Sequence, residues 1–239
     1  MKKLLVLAAM LPQIACAETG YYLVSTYDVA GQASIDYKYW NAHYKGRTVA
    51  SPEIGFGYGV SSRWYTELTA AWIQFSGERT RHTGFEWQND FMLTQGQYDV
   101  DVALHTLVER ARRRPNGYSI EFGPVLQTEV WRTQLNFNLF FQREMDNGQH
   151  NDTQLAYQWQ VRQRWKPWLS PGVQGFGEVG KWNDWLPSKE QSHRAGPALF
   201  GYVDLGTGGQ QLKYEAAYLF GKNSGRAANS FTMRVQYLF

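Results

Sequence analysis

Ser230-Phe231-Thr232-Met233-Arg234-Val235-Gln236-Tyr237-Leu238-Phe239 closes the chain, and its odd positions are Phe, Met, Val, Tyr and Phe. Between them stand Ser, Thr, Arg, Gln and Leu. Successive side chains of a β-strand point to opposite faces, so this period of two describes a strand with one apolar and one mostly polar face. The rule extends upstream. Trp131, Thr133, Leu135, Phe137, Leu139 and Phe141 alternate with Arg132, Gln134, Asn136, Asn138, Phe140 and Gln142. Leu155, Tyr157, Trp159 and Val161 alternate with Gln154, Gln158, Gln160 and Arg162, and Leu212, Tyr214, Ala216, Tyr218 and Phe220 with Lys213 and Glu215.

Segments of this kind fall at about 33–41, 52–60, 64–75, 83–93, 98–108, 118–127, 131–142, 153–165, 171–180, 194–205, 210–221 and 228–239, which makes twelve. Short gaps, such as Ser61-Ser62-Arg63 and Thr128 to Val130, alternate with longer ones, such as Lys181 to His193. An even strand number with alternating gaps brings both chain ends to one side. The apolar face points inward in a soluble sandwich and outward to lipid in a transmembrane barrel. Large charged residues in mid-strand, with Trp, Tyr and Phe near strand ends, favour the barrel. The expected fold is therefore all-β: a closed antiparallel up-and-down transmembrane β-barrel of about 12 strands over residues 33–239.

A strand ending in a carboxy-terminal phenylalanine, with apolar residues at every second position before it, resembles the closing strand of Gram-negative outer-membrane β-barrels, including porin-like small channels. The resemblance covers essentially the whole mature chain. It implies export through the periplasm, location in the outer membrane among its lipid and lipopolysaccharide, and reading of Tyr237 and Phe239 by the barrel-assembly machinery. Length and strand number are also similar to those of twelve-stranded channels for acidic oligosaccharides. That likeness is one of size, because their lumen is predominantly basic and this one is half acidic. It does not extend to an oligogalacturonate or sialic-acid substrate.

The amino terminus reads as a secretory signal peptide over residues 1–17. Lys2 and Lys3 precede an apolar run from Leu4 to Leu11, Pro12 follows, and Ala15-Cys16-Ala17 offers cleavage after Ala17. The run is too short to span a bilayer. Gln13 stands where a lipoprotein signal usually has leucine. Cleavage removes Cys16, the only cysteine, and with it disulfides and thiol chemistry. Without Lys2 and Lys3 the chain has 22 basic against 21 acidic residues, which argues against binding nucleic acid. Residues 18–32, with Tyr21 to Val29 at their centre, are left as a periplasmic tail, a plug in the lumen or an extra strand.

With apolar faces turned to lipid, the first six segments place Asp36, Glu53, Glu67, Glu86, Asp90, Asp99, Asp101 and Glu121 in the lumen, with Lys38 as the exception. The last six place Arg132, Arg162, Arg164, Lys213 and Arg234 there, with Glu178 and Glu215 as exceptions. Opposed walls of this kind orient small polar solutes in a water-filled pore, or pair with each other in a narrow one. A narrow passive channel for small polar solutes is the leading expectation. The alternative is a non-conducting structural or ligand-binding barrel with a plugged lumen. Gly55, Gly57 and Gly59 all face inward and leave room for a plug, a ligand or a bulky neighbour.

Cations gather in the first three outer loops: Lys45, Arg47, Arg79, Arg81, Arg110, Arg112, Arg113 and Arg114. Guanidinium groups pair well with phosphate, so Arg79, Arg81, Arg112, Arg113 and Arg114 are the expected lipopolysaccharide-facing residues. If residue 108 faces residue 118, His105 lies opposite Glu121 with Ser119 diagonal, the residue types of a catalytic set for an outer-membrane lipid hydrolase. Such a set would need to face lipid, and the motifs of barrel phospholipases and lipid A deacylases are absent, so no enzyme is expected. His43, His82, His105, His150 and His193 have no paired spacing suited to a metal. No cofactor is expected.

Overall fold

The computed structural model describes residues 24, 29–44, 46–111, 117–146, 148, 151–206 and 208–239. Alternation is realised as strands throughout: β1 (Ala33–Tyr44), β2 (Arg47–Ser61), β3 (Trp64–Phe75), β4 (Arg81–Met92), β5 (Val100–Ala111), β6 (Tyr118–Val130), β7 (Thr133–Met145), β8 (Gln154–Gln163), β9 (Ser170–Lys181), β10 (Asp184–Trp185), β11 (Ser192–Asp204), β12 (Gln211–Asn223) and β13 (Arg226–Leu238). With β10 left aside, consecutive strands pair antiparallel along the chain, β9 with β11 included, and β1 closes on β13 from Ser34↔Leu238 to His43↔Asn229. Twelve strands therefore form a closed barrel, while β10 is a short return over the outer end of β9. Closure removes the unpaired edges that an open sheet would expose.

The two faces are sorted inside out relative to a soluble protein. Ile35, Ile54, Phe56, Leu68, Phe85, Trp87, Phe122, Phe137 and Phe220 stand on the exterior, each largely exposed. Asp36, Glu67 and Asn138 lie buried inside. A continuous apolar exterior around a polar interior is stable only against lipid, since water would meet far more apolar surface than soluble monomers expose. The chain thus spans a membrane with strands, and among the described residues no helix is long and apolar enough to cross one.

Two departures concern the strand ends. The first and last outer connections, expected as loops, are tight hairpins: Tyr44 pairs with Arg47 and Asn223 with Arg226. Positive φ at Gly46 (72°), Ser224 (46°) and Gly225 (74°) lets the ladder turn sharply there. Gap length therefore marks the two ends of the barrel less clearly than the spacing implied. At the other end, Phe239 donates its N–H to the Ala33 carbonyl at 3.0 Å, and Ala33 returns the bond at 2.9 Å. The terminal residue is thereby fastened beside the first strand.

Candidate functional site: the barrel lumen

The centre of the lumen is a network of charges built across three strands. Lys38 Nζ of β1 lies 2.5 Å from Glu67 Oε1 of β3. Arg234 Nε of β13 donates to both Asp36 oxygens, at 2.9 and 3.0 Å, and Arg234 Nη2 bonds Asp36 as well. The same guanidinium reaches Glu67 Oε2 at 3.7 Å. Tyr65 Oη donates to Glu67 at 2.6 Å, and Thr69 Oγ1 at 3.0 Å. Gln236 completes the set by donating to Asp36 at 3.1 Å. A buried carboxylate needs partners of this number to offset its lost hydration.

Glycine makes the network possible. A Cβ on Gly55 would stand 2.6 Å from Glu67 Oε1, and one on Gly57 would stand 2.0 Å from Tyr65 Oη. The side chains of β3 therefore lie flat across β2 to reach β1. At Gly59 the occupant is backbone: Val29 O would lie 2.1 Å from an added Cβ. Bulky neighbours, rather than a ligand, account for the glycines at 55 and 57.

A second group of charges is acidic. Glu86 lies within electrostatic reach of Glu67 and Glu121, Glu53 of Glu86 and Glu109, and Glu109 of Glu86, Glu121 and Glu144. Glu109 and Glu144 stand near the outer ends of β5 and β7. Beside them His105 Nδ1 lies 2.6 Å from Asp90 Oδ1 and Nε2 lies 3.5 Å from Glu121 Oε1. Glu121 Oε2 has no hydrogen-bond partner among the described residues.

The third region is a cavity of about 620 Å³ at the inner end of the barrel. Arg162, Arg164, Lys166, Lys213 and Arg234 line it, with Glu215 as the only carboxylate among the described lining residues. Gln127, Gln134 and Asn136 form an amide chain on one wall: Asn136 donates to Gln127 at 2.8 Å and Gln134 to Asn136 at 2.8 Å. The lining of this inner cavity is thus mainly cationic and amide in character.

Not every expected lumen residue is there. Asp99 and Arg132 are exposed in inner-end turns outside the strands, because β5 begins at Val100 and β7 at Thr133. Asp101 is buried but caps its own turn, accepting from Gly96 N at 2.6 Å. Arg164 lies past the end of β8, at the cavity rim, paired with Glu129 at 2.7 Å. Sequence reasoning missed Glu109, Glu144 and Arg194, the last paired with Glu178 at 3.3 Å. Glu109 and Glu144 continue the inward parity of their strands beyond the segment ends assumed, so extending the alternation would have found them, whereas Arg194 opens the segment 194–205 itself.

Arg79 is exposed in the connection between β3 and β4, and Arg81 opens β4 in an exposed pair with Glu78 at 2.6 Å. Arg112, Arg113 and Arg114, like the proposed signal peptide over residues 1–17, lie outside the described residues. Tyr237 and Phe239 stack at the end of the closing strand, ring centroids 5.4 Å apart. The assumed pairing of residue 108 with 118 is corrected by two positions: Val108 faces Ile120, His105 faces Gly123, and Glu121 faces Leu107. Ser119 Oγ contacts Glu109 at 3.4 Å, while His105 is held by Asp90. Ser119 is thus engaged by Glu109, and His105 by Asp90 together with Glu121.

Of residues 18–32, Val24 and the stretch 29–32 are described. Val24 packs inside the barrel against the cluster of Tyr65, Met92, Ala103, Val125 and Phe140. The Asn138 side-chain amide lies 3.4 Å from the Val24 carbonyl oxygen. A second apolar cluster joins Trp40, Phe176, Phe200 and Leu219 from the opposite wall.

A closed antiparallel barrel of twelve strands, apolar outside and polar within, with both strand-bearing ends of the chain on one side, defines an outer-membrane β-barrel. Comparison with solved structures agrees. The NanC porin superposes with a TM-score of 0.56 at 12% identity, covering 84% of this chain and 98% of its own. An outer membrane channel from Pseudomonas putida F1 superposes with a TM-score of 0.57 at 11% identity, covering 92% and 98%. At such identities the likeness is one of fold. No family model matches the chain, and no curated protein does.

Proposed function

We propose that this barrel is a narrow passive channel for small polar solutes in the outer membrane of a Gram-negative bacterium. The observation that carries the reading is the polar lumen: carboxylates near the outer ends of β5 and β7, ion pairs at the centre and a cation-lined cavity at the inner end. A purely structural barrel has no use for charges that repel one another, such as Glu86 and Glu109. The two solved structures above, a porin and an outer membrane channel, support the reading by analogy of fold. In this reading residues 1–17 export the chain, Tyr237 and Phe239 present it to the assembly machinery, and Arg79 and Arg81 meet lipopolysaccharide phosphate. The test is single-channel recording of the purified barrel in a planar bilayer. Small discrete conductance steps are expected; a folded barrel silent at several hundred millivolts overturns the channel.

One observation favours a second reading, a barrel closed by its own amino terminus: Val24 occupies the lumen against Phe140. Removal of residues 18–28 separates the two. Current that appears only after the deletion assigns the segment as a plug, and equal current before and after discards it.

A further inference from the structure

The arginines of the inner cavity already face carboxylates: Arg234 bonds Asp36, Arg164 pairs with Glu129, and Glu215 acts on Arg162. Lys166 lies over the rings of Trp165 and Trp168, and Lys213 has a partner of its own. What remains unspent is hydrogen-bonding capacity rather than charge. Gln127 is reached only through its Oε1, by Gln134 at 3.2 Å and Asn136 at 2.8 Å, and its Nε2 donates to nothing among the described residues. Gln160 donates to Gln174 at 3.5 Å, while its Oε1 accepts nothing there. Gln236 spends its Nε2 on Ser34 and Asp36 and likewise leaves its Oε1 open. Tyr202 Oη makes no hydrogen bond among the described residues, and the buried Nε of Arg162 has no acceptor there. All five residues line the cavity. A polar group held without a partner is costly, so five around one space suit a molecule that arrives from outside.

We propose that this cavity binds uncharged polyhydroxylated solutes, of the size of a simple sugar or larger. A hydroxyl group donates and accepts at once, and it matches a lining that offers both. The donors are Gln127 Nε2 and Arg162 Nε, the acceptors Gln160 Oε1 and Gln236 Oε1, and Tyr202 Oη serves as either. They come from β6, β8, β11 and β13, every second strand around one half of the wall, so they converge on a solute from several directions. An anion gains little here, because each arginine would have to leave a carboxylate to meet it. An apolar solute would leave all five groups without partners, and a site built for hydroxyls rejects analogues that lack them. A volume of about 620 Å³ falls within the range of small-molecule sites. The proposal deepens the channel reading by naming the solute class, and rests on it only for passage; binding itself is measured without conduction.

The experiment is saturation-transfer NMR of the full barrel folded in a detergent without sugar headgroups. Glucose is the probe, and glucuronate, which differs by a carboxylate in place of one hydroxymethyl group, is its charged counterpart. Glucose is expected to bind saturably with a dissociation constant on the order of 10 mM, tight enough to dwell and weak enough to leave. Glucuronate is expected to bind no more tightly. Tyr202→Phe, which removes only a hydroxyl, should weaken glucose about three- to tenfold, as the loss of one neutral hydrogen bond requires. Gln160→Leu should weaken it by a similar factor, while Lys189→Gln, on an exposed outer connection, leaves it unchanged. Absence of saturable glucose binding, tighter binding of glucuronate, or full glucose binding by both Tyr202→Phe and Gln160→Leu overturns the site. Because the first comparison uses the unaltered protein, misfolding of a variant does not remove the test. Binding by a barrel that does not conduct upholds the site and discards the channel; conduction without binding does the reverse.

Discussion

Lys38 on β1 and Glu67 on β3 meet at 2.5 Å although a whole strand lies between them. Neither is the other's register partner, for Lys38 faces Glu53 and Glu67 faces Gly57. The contact exists because Gly55 leaves the surface of β2 open at the crossing. Removing one partner of such a pair strands the other in a dry interior. Lys38→Met should therefore destabilise the barrel by about 3–5 kcal/mol, while Lys38→Met with Glu67→Leu should recover most of the loss. Urea unfolding of the lipid-inserted protein measures both, and a single variant as stable as the parent would refute the assignment.

The same crossing makes Gly57 intolerant of a side chain. Its Cβ would lie 2.0 Å from Tyr65 Oη and 2.6 Å from Ser34 Oγ. Gly57→Ala should cost about 1–3 kcal/mol through displacement of Tyr65. Gly77, with open space around a Cβ but a φ of 79°, should suffer only the backbone penalty, about 1 kcal/mol as alanine. Matched unfolding curves for the two variants check the order.

If ions pass the outer carboxylates, those groups set the preference for cations. Glu53→Gln together with Glu109→Gln should lower cation over anion permeability a few-fold, given that one unit charge at 4 Å in water is worth about 1 kcal/mol. Reversal potentials across a salt gradient read the change directly. An unaltered ratio would exclude these residues from the ion path.

The Asn138 side chain reaches the Val24 backbone, its amide 3.4 Å from the carbonyl oxygen. In a Cys16→Ser background, Val24→Cys with Asn138→Cys should cross-link under mild oxidation, seen as a loss of free thiol by mass spectrometry. Failure to cross-link in the folded barrel would remove Val24 from the lumen.

Phe239 has two separable roles. Its backbone makes two hydrogen bonds to Ala33, so deletion should cost purified protein about 1–3 kcal/mol. If the residue is also read during assembly, the amount reaching the outer membrane of cells should fall much further than that loss explains. Comparing in-vitro stability with membrane abundance distinguishes the two.

The closed barrel was legible because a strand repeats every two residues, and every strand here must keep one face in lipid. Trp131 to Phe141 shows this: its apolar members read as one face without any knowledge of neighbours. Strand ends were less legible. Alternation fades where a ladder leaves the membrane, so Asp99 and Arg132 read as wall residues although both lie in turns. The inward parity of Glu53, Glu67, Glu86 and Arg234 followed from the period alone, but not what each would touch.

By itself, then, the sequence determined the all-β fold, the closed barrel of about twelve strands and the face that mid-strand residues present. These are local properties, fixed by the pleat. Tertiary structure alone decided that Glu67 reaches over Gly55 to Lys38, that His105 faces Gly123, and that Arg162 lies over Phe200 in a cation-lined cavity. Those relationships depend on strand stagger and on how far a side chain leans across its neighbours. Both are set only when the barrel closes and every register is fixed against the next.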